Sequence, residues 1–324
     1  MLHSRRNGIL RGLPTSSNFK IARILVALDF GDRASKVLEA ALCIARSFQS
    51  ELFLVHAVSP RSPKGHLEEG ASFLEGCVQA GMKRLSDAVA ARPSLNAFTH
   101  HEIAAAESPL DLIQRLVRSE RIDLVVVGSH GAAGLERLAI GSFAEGLMRR
   151  GNCPTLIVGP HAAVAGDPFH KVLLATDLGI GCDAATSFAT DLAVHSHGEL
   201  NMLHVIDRKP NPILGRASTS DELMSRHRMR MSVPSDITSI CTLRLIAEHG
   251  RPQDVIVKAA LDCDAGVIVT GVSEGMLHDE HSPWSKFADV VKSAPCPVLA
   301  VRQNATMAQL PTETSALFTH TGNL

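Results

Sequence analysis

The chain has 324 residues, 45% of them apolar and 20% charged, and a formal net charge of −1. That length suits about two globular domains with ample core, and the balanced charge argues against a general nucleic-acid or membrane-surface binder. No apolar run approaches the about 18–20 residues of a membrane span, and seven cysteines without a C-x-x-C pair make neither a disulfide framework nor a zinc knuckle, so reduced thiols and a cytoplasmic location are expected.

Residues 1–19 hold three arginines and no acid; they read as a disordered N-terminal arm, without the continuous apolar stretch of a signal peptide. A short apolar run at 22–28 suits a strand buried on both faces. Ser35 is then expected to cap a helix, because Val37, Leu38, Ala41, Ile44, Ala45 and Phe48 keep helical spacing. A strand follows at 51–58, a helix around 68–91 and a strand near 97–104. Helix 109–119, strand 122–127, helix 142–150 and strand 154–159 complete the unit. Residues 161–169 read as a linker, after which the order begins again.

The second run is a copy. "ARILVALDF" from position 22 matches "HKVLLATDL" from 170, and "ELFLVHAV" from 51 matches "ELNMLHVI" from 199, both at an offset of 148. "SPLDLI" from 108 answers "RPQDVI" from 251, and "NCPTLIV" from 152 answers "PCPVLAV" from 295, both at 143. The difference falls between Val58 and Ser108, where loops accept length changes. Asp183 takes the place of Ser35. The chain therefore divides into an arm (1–19), a first domain (20–160), a linker (161–169), a second domain (170–302) and a Thr-rich tail (303–324) expected to be disordered. Strand–helix alternation with apolar strands means an α/β fold, two tandem Rossmann-like domains with helices on both faces of parallel sheets.

In such sheets ligands bind beyond the carboxyl ends of the strands, and the segment "VVVGSHGAAGLERLAIGSF" starts there. Gly128 and Gly131 permit a sharp turn and close backbone approach to a ligand. Gly141-Ser142 opens a helix whose first amides are unpaired and favour an anion. Two structural readings stand beside this: Ser142 and Glu145 form a capping box, and glycines are common at turns.

Written out, Gly128-x2-Gly131-x9-Gly141-Ser142 resembles the nucleotide-binding pattern of the universal stress protein family. "ILVALDF", "LFLVHAV" and "CPTLIV" resemble that family's first, second and closing strands. The resemblance implies a five-stranded sheet in order 3-2-1-4-5 in each repeat, with ATP across the carboxyl edge, Mg2+ as its companion left open. It implies that Asp29 contacts the nucleoside, although capping of the following turn is the other reading of that residue. It implies that backbone at Ala57 meets the base and that Ala27 and Val127 line the adenosine. Backbone at Gly128, Gly131, Gly141 and Phe143, with the Ser142 hydroxyl, would hold phosphates. Leu28 departs from the small polar residue often found before that Asp. His56 and His204 are read as packing or bonding locally, and His130 as a phosphate contact or a solvated loop residue.

In the second copy the Gly131 position is Glu274 and the Gly141 position is Trp284, and the loop between them carries Glu274, Asp279 and Glu280. A carboxylate near a phosphate is repulsive by about 4 kcal/mol at 4 Å and an effective dielectric near 20. One working nucleotide site and one degenerate domain are expected, with Trp284 packed into the degenerate pocket. "HDEH" at 278–281 is not the H-E-x-x-H metal motif, and His100 and His101 alternate on a strand, a poor chelate.

Three functions compete. The first is an ATP-binding stress-response regulator, the second a slow ATPase or transferase, the third a scaffold that binds no nucleotide. The loop lacks the Walker-A lysine, and Val127 two before Ser129 rules out a nucleophile elbow. The last strands are sheet edges and edges seek partners, so an internal pseudo-dimer through 154–159 and 297–302 is expected, with homodimerisation of the chain left open.

Overall fold

The computed structural model describes residues 19–58, 71–129, 142–151, 153–164, 166–179, 182–206, 219–272 and 283–302. The first repeat runs β1 (Arg23–Ala27), α1 (Ala34–Phe48), β2 (Glu51–Ala57), α2 (Ala71–Ala90), β3 (His100–Ala105), α3 (Pro109–Ser119), β4 (Leu124–Gly128), α4 (Ser142–Arg150) and β5 (Thr155–Val158). The second runs β6 (Lys171–Ala175), α5 (Asp183–His195), β7 (Glu199–Ile206), α6 (Thr219–Met231), β8 (Thr242–His249), α7 (Pro252–Asp262), β9 (Val267–Val272), α8 (Pro283–Ser293) and β10 (Val298–Arg302). Most of the arm, the loop 130–141, the acidic loop 273–282 and the tail lie outside the described residues.

The ten described strands form one sheet, in order β3-β2-β1-β4-β5-β10-β9-β6-β7-β8. Pairing is parallel within each repeat. Where the repeats meet, β5 and β10 pair antiparallel through Val298↔Ile157, Leu299↔Leu156 and Ala300↔Thr155. The pseudo-dimer is thus built inside the chain, and each last strand covers the other's edge. The outer edges β3 and β8 carry His, Glu and Arg side chains, which discourage further strand addition.

Alternation along each strand feeds two cores, one beneath α1, α2, α5 and α6 and one beneath α3, α4, α7 and α8. Both cores run across the seam. Positions of positive φ repeat in register: Phe30 and Leu178, Gln49 and His197, Arg121 and Asp264. A left-handed conformation costs a non-glycine residue about 1–2 kcal/mol, so its recurrence at matching points reflects the turn each loop must make.

One expectation is corrected. Neither Ser35 nor Asp183 caps its helix: α1 and α5 begin behind Arg33 and Cys182, with no side-chain cap bond. The turn before each helix is held instead by Asp29 Oδ1 accepting from Gly31 N (2.9 Å) and Asp177 Oδ1 accepting from Gly179 N (2.7 Å), and the Ser35 hydroxyl meets Arg92. The linker 161–169 packs against the domains it joins: Ala162 and Phe169 are buried and Ala163 N donates to Pro295 O at 2.8 Å. Phe19, assigned to the arm, packs edge-on against Phe48 and Phe188 at 5.7 and 5.2 Å. Burying an aromatic ring outweighs the cost of ordering the short segments that carry it.

Candidate functional site

Strand β1 lies between β2 and β4, so the strand order reverses beside it and the carboxyl edge opens a crevice there. A cavity of about 220 Å³ occupies that position. Its walls come from the carboxyl ends of three strands and the first turns of three helices, α1, α3 and α4. Ala27 and Asp29 follow β1, Ala57 ends β2, Val127 and Gly128 end β4, and Phe143 stands in the first turn of α4.

The structure therefore brings six of the nine candidate residues together around one cavity: Ala27, Asp29, Ala57, Val127, Gly128 and Phe143. Gly131 and Gly141 lie outside the described residues, as does His130, and of Ser142 the structure describes only that its backbone opens α4. Since Phe143 and Ala144 line the cavity, the unpaired amides of the first turn of α4 stand at its rim. Glu145, the other half of the expected capping box, accepts from Arg149 Nε at 2.8 Å.

Both readings of Asp29 find a place in its geometry. Oδ1 closes the turn to Gly31, and the residue still lines the cavity. His56 Nδ1 donates to Leu28 O at 2.7 Å, and His204 Nδ1 to Thr176 O at 2.9 Å. Each imidazole pins the carbonyl just before its aspartate, a positioning role. Phe30 closes the same corner, with its ring edge-on to His56 (4.8 Å) and Arg84 above it (4.5 Å).

Sequence reasoning missed the wall that α3 supplies, Pro109, Leu112 and Ile113, and one charged residue of the cleft. Arg33 lines it beside Asp29, and its side chain makes no hydrogen bond or ion pair among the described residues. A cation at the start of a helix opposes the helix dipole, and that mismatch was the available signal. The second repeat has Gly181 at this point.

The second repeat keeps a crevice too, about 260 Å³, at the same place on its own half of the sheet. The side chain of Trp284, expected to fill it, lies outside the described residues, as does the HDEH segment. Among the described residues no cluster of metal-ligating side chains occurs, and no helix is long and apolar enough to cross a membrane. His100 and His101 point to different partners, Phe98 O and Glu51. All seven cysteines are free thiols, and burial pushes that of Cys296 up to about 12.

Comparison with known proteins agrees with this architecture. The model of the universal stress protein family matches residues 20–159 and again 168–302. A universal stress protein of Bacillus subtilis is 31% identical over 147 residues, covering 42% of this chain and 97% of its own. One from Mycobacterium tuberculosis is 30% identical over 196 residues, covering 56% of this chain and 62% of its own. The crystal structure of a universal stress protein from Archaeoglobus fulgidus superposes with a TM-score of 0.65 at 19% identity, over 88% of this chain and all of the other.

Proposed function

The chain belongs to the universal stress protein family, and from that premise we propose that its first repeat binds ATP and acts as a stress-response regulator. The observation that carries this reading is the convergence of Ala27, Asp29, Ala57, Val127, Gly128 and Phe143 on one cavity. Apolar walls suit a base, Asp29 suits ribose hydroxyls, and the amides at the start of α4 suit phosphate. The unpaired Arg33 supplies the countercharge. Hydrogen bonds to a charged group contribute about 1.5–3 kcal/mol each, so three or four of them together with burial of the base suit micromolar affinity.

The site holds ligand without an evident means of turning it over. The residues facing the cavity bind and orient; Asp29 is already engaged by a turn amide, and His56 by a carbonyl. Regulation follows from what ATP touches: the ends of three strands and the first turns of three helices, whose positions a bound nucleotide stabilises. Any Mg2+ would arrive with the phosphates.

The test has two parts. Nucleotide released by denaturing the purified protein is identified by anion-exchange chromatography, and ATP is titrated calorimetrically into wild type and Gly141→Trp, which copies Trp284 into the first loop. One ATP per chain, lost in the variant, supports the reading. Absence of both released nucleotide and heat of binding overturns it in favour of an association scaffold, and two equivalents per chain overturns the assignment of a single site.

A further inference from the structure

Helix α6 packs on β8, the outermost strand of the second repeat, and a narrow face holds it there. Met229 is fully buried in the core beneath the helix, and Ser225 is buried with its hydroxyl donating to Asp221 O at 2.8 Å. The opposite face stays bare. Of the five large apolar side chains that stand exposed among the described residues, three are on this helix: Leu223 (69%), Met224 (60%) and Met231 (56%). Helix α2 takes the matching place in the first repeat and exposes Phe73, at 37%. One exposed apolar side chain is ordinary, whereas three on one short helix mark a contact surface.

The outward positions Ser220, Met224, His227 and Met231 are all exposed, and they follow at steps of four, three and four. That spacing is the seam along which one helix packs on another. The series is the same from either end, so it matches itself when a second copy is laid antiparallel. Met224 then meets the partner's His227, and Met231 meets the partner's Ser220. Charge is arranged in the same sense. Asp221 and Glu222 stand in the first turn, Arg228 and Arg230 in the last. A parallel copy would set like charges together, whereas an antiparallel one sets acid on base and opposes the two helix dipoles. Asp221 and Arg228 are seven residues apart and share one flank of the seam, so Asp221 comes beside the partner's Arg228. The Arg228 guanidinium already donates to Leu178 O at 2.6 Å, and ordering it for a further contact costs little.

Strands β5 and β10 already cover each other's edges within the chain, so association of whole chains needs another surface. We propose that α6 is that surface, through which two copies of this chain pair antiparallel about a twofold axis. Leu223, Met224, His227 and Met231 form its seam. A helix of 13 residues is about 20 Å long, which puts the contact at the small end of specific interfaces. The dimer is therefore weak and depends on concentration. It is independent of whatever either crevice holds.

The experiment follows the full chain by sedimentation velocity over a wide range of micromolar concentrations, where wild type should show a monomer–dimer equilibrium. Met224→Glu sets a carboxylate in the seam and should raise the Kd about tenfold or more. Asp221→Arg and Arg228→Glu should each raise it about fivefold or more, because each change acts twice across the twofold. Mixed in equal amounts, these two variants should pair about as tightly as wild type, since both contacts are again opposite in sign. Misfolding of either variant would not give that recovery. A photocrosslinking residue at position 227, in a mixture of unlabelled and 15N-labelled chains, locates the contact. A crosslink between two peptides from 219–231 that carry different labels supports the proposal. A monomer at every concentration, a dimer indifferent to Met224→Glu, a mixture no tighter than its components, or a crosslink to another element overturns it. A monomer that sediments with phosphatidylserine vesicles, and ceases to in Met224→Glu, overturns it in favour of a lipid surface.

Discussion

The imidazole of His195 lies flat on the ring of Phe48, centroids 4.0 Å apart and planes 12° apart, and its Nε2 donates to Ser47 O at 3.1 Å. One residue belongs to each repeat, so this stack bolts α5 to α1 across the seam. Phe169 and Phe19 close on the same ring. On the opposite side Arg302 reaches back to Arg149 O and Gly151 O at 3.1 and 3.2 Å.

A seam of this kind makes the two repeats one cooperative unit. Phe48→Ala removes the shared ring and should destabilise the whole chain by about 3–5 kcal/mol. Calorimetric unfolding of wild type should show a single transition whose van't Hoff and calorimetric enthalpies agree. Two resolved transitions, only one of them moved by the substitution, would show independent repeats.

Arg33 provides a test of the first crevice that leaves the glycine loop untouched. Arg33→Gly, which copies the second repeat, should weaken ATP binding about 5- to 10-fold and reduce its salt dependence. Adenosine, lacking phosphate, should be insensitive to the change. Equal effects on both ligands would place Arg33 at the nucleoside end instead.

Asp29→Ala removes the acceptor for Gly31 N as well as the carboxylate in the cavity. ATP affinity should fall at least about tenfold. Asp29→Asn, which keeps an acceptor for the turn, separates the two roles: affinity restored by Asn assigns Asp29 to holding the loop, and affinity still lost assigns it to the ligand.

Asp191 predicts a pH signature. Burial raises its carboxyl to about 6 in the folded chain, above the ordinary value near 3.9 of an unfolded aspartate. Between those values the folded state binds more protons than the unfolded state, so this group makes stability fall as pH rises from about 4 to about 6. Asp191→Asn should therefore raise the thermal midpoint at pH 7, and the gain should vanish near pH 4. A gain that persists at pH 4 would point to a cause other than titration.

Gly266 sits where an added Cβ would strike the backbone oxygen of Pro168. In the first repeat the matching residue is Asp123, whose carboxylate instead receives Ala22 N (2.8 Å) and Arg23 N (3.0 Å). The repeats thus hold the entry to their central strand in two ways, one by close backbone approach and one by side-chain bonds. Gly266→Ala should cost about 1–3 kcal/mol, read as a shift in denaturant midpoint with unchanged slope.

Much of this was legible beforehand. The bounds of α3 and α4 follow from a helical pattern with proline or serine at the start and a polar or glycine-bearing stop. The strands follow from short apolar runs, and the internal copy places each element twice. Of the six residues of the first crevice, Gly128 was nameable from its place at a strand end, and Ala27, Asp29, Ala57, Val127 and Phe143 from what the family resemblance implies for those positions.

Other features were not legible, for reasons of the same physics. A Ser before an apolar pattern looks like a cap, yet Asp29 reached the turn amide first, and that competition depends on loop geometry. The packing of 161–169 depends on Pro295 and Phe48, far away in the chain. Periodicity records which face of an element avoids water, and the doubled pattern was enough to establish two α/β repeats with their apolar faces. It carries no information about what lies opposite that face. The antiparallel join of β5 to β10 and the seam of aromatic rings were decided only when distant segments met, because edge pairing and ring stacking depend on distances between atoms that no local spacing encodes.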